Sequence, residues 1–336
     1  MRSVLVTHAD EPLGRRVVKT LFHDPRIERL VAAGDGPPPR AFDRFLADPG
    51  GRMRYARVDL GRHRSVSDFF HSAVLREAAV DTVVHLPLHG AAAGAEDPTP
   101  STWPSPRTAE ARLVLHHCLA VLSIRRLVAL SSAFVYRLAP GNANRLREED
   151  ELDLDPEVPP AFRSWIDCDM LFHAEVGSER LRVALLRVPT VVTSGGGVYL
   201  NPALEGRPGP RLRPVGFDPL CALISDKDLA KGVQAAVHSD ARGVFNLSGR
   251  EAVPLSQLAR WTGRPALPAP GVALRALAWG AGTLGRAETR TLLDGPHLRY
   301  GFTLDTGRAA RELGWSPRYR IGLARSGDGR LRLETS

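Results

Sequence analysis

Lysine is the scarcest charged residue of this 336-residue chain. Only Lys19, Lys227 and Lys231 occur, against 42 arginines. That scarcity excludes any chemistry that needs a lysine at a fixed spacing from a second group, unless one of these three supplies it. Cysteine is equally rare. Cys118, Cys168 and Cys221 are too widely spaced for a disulfide framework or a zinc knuckle, and they suit a reducing compartment. No apolar run reaches about 18 residues, which predicts no transmembrane span. No charged leader or apolar h-region precedes Ser3-Val4-Leu5-Val6-Thr7, so the expected location is the cytoplasm.

What is present is a globular composition, 43% hydrophobic and 24% charged, on a chain long enough for one large core plus a smaller lobe. The formal net charge is +8. The arginines spread evenly, whereas a nucleic-acid footprint requires clustering. The densest stretch, Arg318 to Arg332, carries Gly and Ser and reads as a basic tail. The excess therefore reads as general replacement of Lys by Arg, and nucleic acid is not the expected partner.

The first half alternates short apolar runs with helical patterns. Ser3–Thr7, Arg29–Ala33, Arg54–Val58, Asp81–Leu86 and Arg126–Ser131 read as strands. The first has no polar alternation, as in a strand buried on both faces. Leu13, Val17, Val18, Leu21 and Phe22 follow at helical spacing, and Ala109–Leu122 reads as a helix. This rhythm predicts an α/β fold with a doubly wound parallel sheet. Arg182–Val188 and Gly243–Leu247 read as further strands. Asp97–Pro106 and the Pro-rich Pro265–Gly271 read as loops. Gly271–Gly285 reads as a helix packed on the small lobe; a membrane-surface role is disfavoured because its only basic residues are Arg275 and, just beyond it, Arg286. The expected division is a nucleotide-binding core over 1–188, a region over 189–320 that completes the core and forms the small lobe, and the basic tail over 321–336.

Several segments, taken in order, resemble one family. They are Thr7-His8-Ala9-Asp10-Glu11-Pro12-Leu13-Gly14, Val58-Asp59-Leu60, Val84-His85-Leu86 and Leu130-Ser131-Ser132-Ala133-Phe134-Val135-Tyr136. Leu186-Arg187-Val188-Pro189, Ile224-Ser225-Asp226-Lys227-Asp228-Leu229-Ala230 and Glu312-Leu313-Gly314-Trp315-Ser316-Pro317 follow. Over residues 1 to about 320 the chain resembles the extended short-chain dehydrogenase/reductase family, the NAD-dependent epimerases and dehydratases. The resemblance implies a Rossmann-type sheet with a smaller C-terminal substrate lobe, NAD(P) as cofactor, and hydroxy or keto substrates such as nucleotide sugars. It also implies a homodimer through a helix pair near Ala109–Leu122 and Trp165–Glu179.

A pyrophosphate-binding turn needs glycines for tight turning and for close backbone approach at a helix N-terminus. At the three glycine positions of the family pattern stand His8, Glu11 and Gly14. His8 adds a Cβ where a positive φ is expected. Glu11 brings a carboxylate toward two phosphate charges. Like charges about 4 Å apart at an effective dielectric near 20 cost at most about 4 kcal/mol, roughly a thousandfold in affinity. Thr7, Asp35, Asp59 and Leu86 complete the implied cofactor set. Asp35 is either a ribose-binding acid or a turn residue of Gly34-Asp35-Gly36-Pro37. Asp59 is either an adenine contact or an ordinary strand-end acid.

The family's hydride chemistry uses a Tyr-x-x-x-Lys pair and a serine from the fifth strand. The lysine lowers the phenol pKa so that it serves as base. Ser132 matches the serine, and a backbone-satisfying role is its alternative. Trp165 and Asp169 stand where Tyr and Lys belong. No Tyr-x-x-x-Lys exists anywhere, because Arg15, Leu223 and Lys227 stand four residues before the three lysines. His173, four after Asp169, is a weak substitute acid/base candidate, with an exposed i,i+4 pair as the alternative. His85 and His89 are separated by Pro87, and His116 and His117 are adjacent, so no metal site is expected. Asn246-Leu247-Ser248 is a glycosylation sequon without a secretory signal.

These readings favour a Rossmann protein without the family's usual redox chemistry, acting in nucleotide or small-ligand binding or regulation. Two alternatives remain: an NAD(P)-dependent epimerase, dehydratase or reductase with relocated catalytic groups, and an RNA- or anion-binding protein.

Overall fold

A computed structural model describes residues 1–87, 105–155, 158, 160–193, 197–201, 211–262, 266–283, 299–325 and 331–335. The first half folds as β1 Arg2–Val6, α1 Pro12–Phe22, β2 Ile27–Gly34, α2 Asp43–Leu46, β3 Met53–Arg57, α3 His63–Phe70, α4 Ala73–Ala78 and β4 Thr82–His85. Then come α5 Pro106–Ala120, β5 Arg126–Ser132, β6 Arg145–Leu146, α6 Pro160–His173, β7 Arg182–Val188, β8 Thr190–Val192 and β9 Val198–Tyr199. The last third holds β10 Arg211–Pro214, β11 Leu220–Ser225, α7 Asp226–His238, β12 Gly243–Asn246, β13 Ala252–Pro254, α8 Leu255–Trp261, β14 Ala266–Ala269 and α9 Gly271–Thr283. β15 Thr303–Leu304, β16 Ile321–Arg325 and β17 Leu331–Thr335 end it.

Seven strands form one parallel sheet in the order β12-β7-β5-β4-β1-β2-β3. The order reverses between β1 and β4, and at such a switch point a crevice lies outside the C-terminal ends of the strands. The central strands are continuous apolar runs because helices cover both faces. Val4, Leu5 and Val6 are fully buried, as are Val83 and Val84. On α1 the buried stripe is Leu13, Val17, Val18 and Leu21, while Arg15 and Lys19 face solvent. Each such side chain contributes about 1.5–3 kcal/mol on burial. α5 and α6 lie side by side, and the two apolar layers form on opposite faces of the sheet.

A second sheet, β13-β11-β8-β9, carries the lobe built after β7. Two expectations change here. Pro265–Gly271 is not simply a loop: Ala266–Ala269 is β14, paired in parallel with β10. Its partner is a distant segment, and Pro268 is tolerated because the pair has only two strands. The basic segment is not a bare tail either, since β16 and β17 form an antiparallel hairpin. The expected loop over 97–106 lies outside the described residues up to 104, and Pro106 begins α5. Among the described residues no helix is long and apolar enough to cross a membrane. The sequon asparagine, Asn246, is fully buried. It accepts a hydrogen bond from the Tyr136 hydroxyl at 2.8 Å, which leaves no room for a glycan.

Candidate functional site

The turn from β1 to α1 forms one wall of the crevice. Ala9 N donates to Ala33 O at 2.8 Å and Glu11 N to His8 O at 3.2 Å. The chain reverses at His8, whose φ is +50°. A non-glycine residue in this left-handed region costs about 1–2 kcal/mol. Gly14 is required by packing: an added Cβ would lie 2.0 Å from the His8 carbonyl oxygen. The surviving glycine is thus the one that lets helix and turn touch.

The rest of the turn does not fit a dinucleotide pyrophosphate. α1 starts with Pro12, which has no N–H to donate, and the capping residue before it is Glu11. The helix end therefore presents a carboxylate and lacks one donor. Asp10 reaches across to the end of β2, where its Oδ2 accepts from Gly36 N at 2.9 Å. Any Cβ on Gly34 would meet Asp10 Oδ1 at 2.2 Å. The Tyr55 hydroxyl donates to Gly36 O at 2.8 Å, and burial, then the charges of Asp10 and Asp35, push Tyr55 up to about 12. Asp35 itself is exposed. Asp59 accepts from Gly61 N at 3.0 Å and pairs with Arg62 at 3.0 Å, as a strand-end acid does. Thr7 and Leu86 are buried, and Leu86 N donates to Thr7 Oγ1 at 3.2 Å.

The second wall is the end of β5 with α6 and β7. Asp169 is fully buried and its carboxylate is grasped from three sides. Arg187 donates Nε to Oδ2 at 2.9 Å and Nη2 to Oδ1 at 2.7 Å, and the Ser131 hydroxyl donates to Oδ2 at 2.6 Å. The Arg187 guanidinium lies 4.8 Å from the Tyr136 ring centroid. Burial pushes Tyr136 up to about 12, partly countered by Arg187. The Tyr136 hydroxyl in turn meets Asn246, whose N donates to Glu148 Oε1 at 2.9 Å. Such a pair survives burial because its hydrogen-bonding capacity is met.

The remaining catalytic candidates fall around this network. Ser132 is fully buried and accepts from Phe134 N at 3.1 Å, so it caps the short helical turn Ala133–Val135. Trp165 packs against Phe162 and Phe134, with the Arg107 guanidinium 5.8 Å from its ring. His173 is exposed at the end of α6. Its spacing to Asp169 suggests a shared face, but Asp169 turns inward to Arg187, so the structure does not bring the two together as an acid/base pair.

A third cluster joins residues that sequence reasoning kept apart. His8 follows β1, His85 ends β4 and Glu110 lies in the first half of α5. Their ligand-type atoms all lie within 4.8 Å of one another, and all three residues are buried. His8 Nε2 hydrogen-bonds Glu110 Oε1, and His85 Nε2 lies 3.9 Å from the same oxygen. His85 Nδ1 meets Thr7 Oγ1 at 2.9 Å. The sequence expectation of no metal site considered His85 with His89, which lies outside the described residues. The useful signal was instead a histidine at a glycine position. His116 and His117 do diverge: His117 is buried against Phe70, with ring centroids 5.1 Å apart, and burial lowers its pKa.

Comparison with known proteins adds context. No family model matches the chain. An uncharacterized protein of Mycobacterium tuberculosis (strain ATCC 25618 / H37Rv) is 27% identical over 326 residues, covering 94% of this chain and 80% of its own. Among solved structures, the dTDP-glucose 4,6-dehydratase of Bacillus anthracis, in complex with NAD, is 16% identical. It aligns with a TM-score of 0.63 over 95% of this chain and 92% of its own. The UDP-glucose 4-epimerase of Thermotoga maritima, with UDP-glucose, is 12% identical at a TM-score of 0.63 over 94% of each chain. The alignments span nearly the whole of each chain, and the chain shares the Rossmann-type fold of these neighbours.

Proposed function

We propose that this chain is an epimerase/dehydratase-like Rossmann protein that does not perform hydride transfer and acts by binding a small ligand at the crevice. One observation carries the reading. At the place where the resemblance implies a catalytic lysine stands Asp169, fully buried and locked to Arg187 and Ser131. A lysine there would lower a phenol's pKa; a carboxylate committed to an arginine does not. Trp165, at the implied tyrosine position, has no proton that titrates in the useful range.

The β1–α1 turn supports the same reading. Glu11, Pro12 and the left-handed His8 oppose a pyrophosphate. The nucleotide-sugar neighbours supply the analogy for a small, polar ligand, and the neighbour from Bacillus anthracis holds NAD. The homodimer that the resemblance implies would use α5 and α6, which pack side by side within the chain.

Calorimetric titration with NAD, NADH, NADP and NADPH tests the reading. The expected result is no dissociation constant tighter than about 1 mM, in line with the like-charge cost at Glu11. A micromolar constant for any of the four overturns it. The double variant His8→Gly with Glu11→Gly is expected to gain cofactor affinity while remaining without hydride transfer.

A further inference from the structure

His8, His85 and Glu110 bring three buried ligand-type side chains within 4.8 Å of one another. The turn would be relieved by glycine at position 8, yet it holds a histidine at φ +50°. A residue kept against about 1–2 kcal/mol of backbone cost is held by what its side chain does. That side chain reaches a carboxylate on α5, and a second imidazole from β4 reaches the same oxygen.

We propose that His8, His85 and Glu110 form a binding site for a divalent first-row transition-metal ion of the zinc type. Two imidazole nitrogens and one carboxylate oxygen are a donor set that suits Zn²⁺ and leaves one tetrahedral position open. Metal–ligand bonds of about 2.0–2.1 Å place tetrahedral donors about 3.3 Å apart. The observed separations bracket that value, from the hydrogen-bonded His8–Glu110 pair to the 4.8 Å limit of the cluster. Small side-chain rotations bring all three onto one ion. The donors come from the ends of two adjacent parallel strands and from a long helix, so their backbones are fixed.

The surroundings match the demands of a metal site. His85 Nδ1 is engaged by Thr7 Oγ1 at 2.9 Å, and that oxygen is itself held by Leu86 N. The tautomer that donates Nδ1–H to Thr7 has its lone pair on Nε2, the nitrogen that faces Glu110, and metal binding selects that tautomer. Two imidazoles and a carboxylate converge on one point, which is the arrangement a metal ion requires. The cluster carries one negative charge with both imidazoles neutral, so a divalent ion makes it positive. The crevice would then attract an anionic ligand despite Glu11.

This inference stands independently of the proposed loss of hydride transfer. The test uses the full chain stripped with EDTA and dialysed, then titrated with Zn²⁺ and separately with Co²⁺. The expected result is one ion per chain, a rise in Tm on Zn²⁺ addition, and the visible ligand-field bands of four-coordinate Co²⁺. His8→Gly relieves the positive φ and is expected to fold, and Glu110→Gln keeps shape and hydrogen bonding. Each is expected to weaken Zn²⁺ binding at least about 100-fold, the upper end of what outer-shell losses cause, and to abolish the Tm rise. Absence of stoichiometric binding by the native chain overturns the proposal. So does binding by both variants as tight as that of the native chain.

Discussion

The two walls of the crevice hold the same kinds of group in opposite conditions. On the β5–β7 side, Asp169 takes hydrogen bonds from Arg187 and Ser131, and Arg187 also covers Tyr136. On the β1–β4 side, one carboxylate faces two imidazoles from a strained turn. The first wall is closed on itself, and its charges balance within the chain. The second converges on a point between three side chains. The difference teaches that a buried carboxylate takes its character from its partners: an arginine closes around it, whereas imidazoles leave a point on which donors converge.

Breaking the closed wall gives the largest effect. Asp169→Ala leaves the Arg187 guanidinium buried without its counter-charge. Removing one partner of such a pair costs about 3–5 kcal/mol. Urea denaturation of the variant is expected to show that loss, whereas Glu110→Gln in metal-free protein is expected to lose less than half as much. Equal losses would erase the contrast. Asp169→Lys is expected to be at least as damaging as the alanine, since it sets an ammonium against Arg187.

A smaller effect lies further along α5. His117 stands seven residues after Glu110, about two turns away. It is buried, stacked on Phe70, and faced by His63, His71 and His116. Burial, then the charges of these histidines, lower its pKa. A depressed folded value means that its share of stability is present above the unfolded value of about 6.5 and is lost as pH falls below it. His117→Leu removes that loss and two ring nitrogens that have no partner among the described residues. Thermal melts are expected to show a gain of about 1 kcal/mol at neutral pH and a shallower decline through the acid range. A decline as steep as that of the native chain would place the acid sensitivity elsewhere.

Much of the fold was legible because buried parallel strands leave an unbroken apolar signature. Val4-Leu5-Val6 and Val83-Val84 mark their strands without help from context. The absent Tyr-x-x-x-Lys pair was legible because three lysines can be checked by position. What replaced it was not. Arg187 sits inside an apolar strand, 18 positions from Asp169, and only the β5–β7 pairing brings β7 under α6. His8 and Glu110 are 102 positions apart. No spacing rule joins them; their meeting depends on β1 and β4 being neighbours and on α5 covering both. Strand β14 was missed for a similar reason, since its partner β10 lies more than fifty residues earlier in the chain.

The smallest effect sharpens the comparison most. In metal-free protein, His8→Gly removes a left-handed penalty of about 1–2 kcal/mol. It adds about 0.5–1 kcal/mol of backbone entropy cost and gives up a hydrogen bond to a buried carboxylate worth about 1.5–3 kcal/mol. These terms partly cancel, so chemical denaturation is expected to place the variant within about 2 kcal/mol of the native chain. The histidine then contributes less to the metal-free fold than Asp169 does. A loss of several kcal/mol on His8→Gly would instead make the His8–Glu110 pair a structural lock like that of Asp169 and Arg187, and the two walls would be alike.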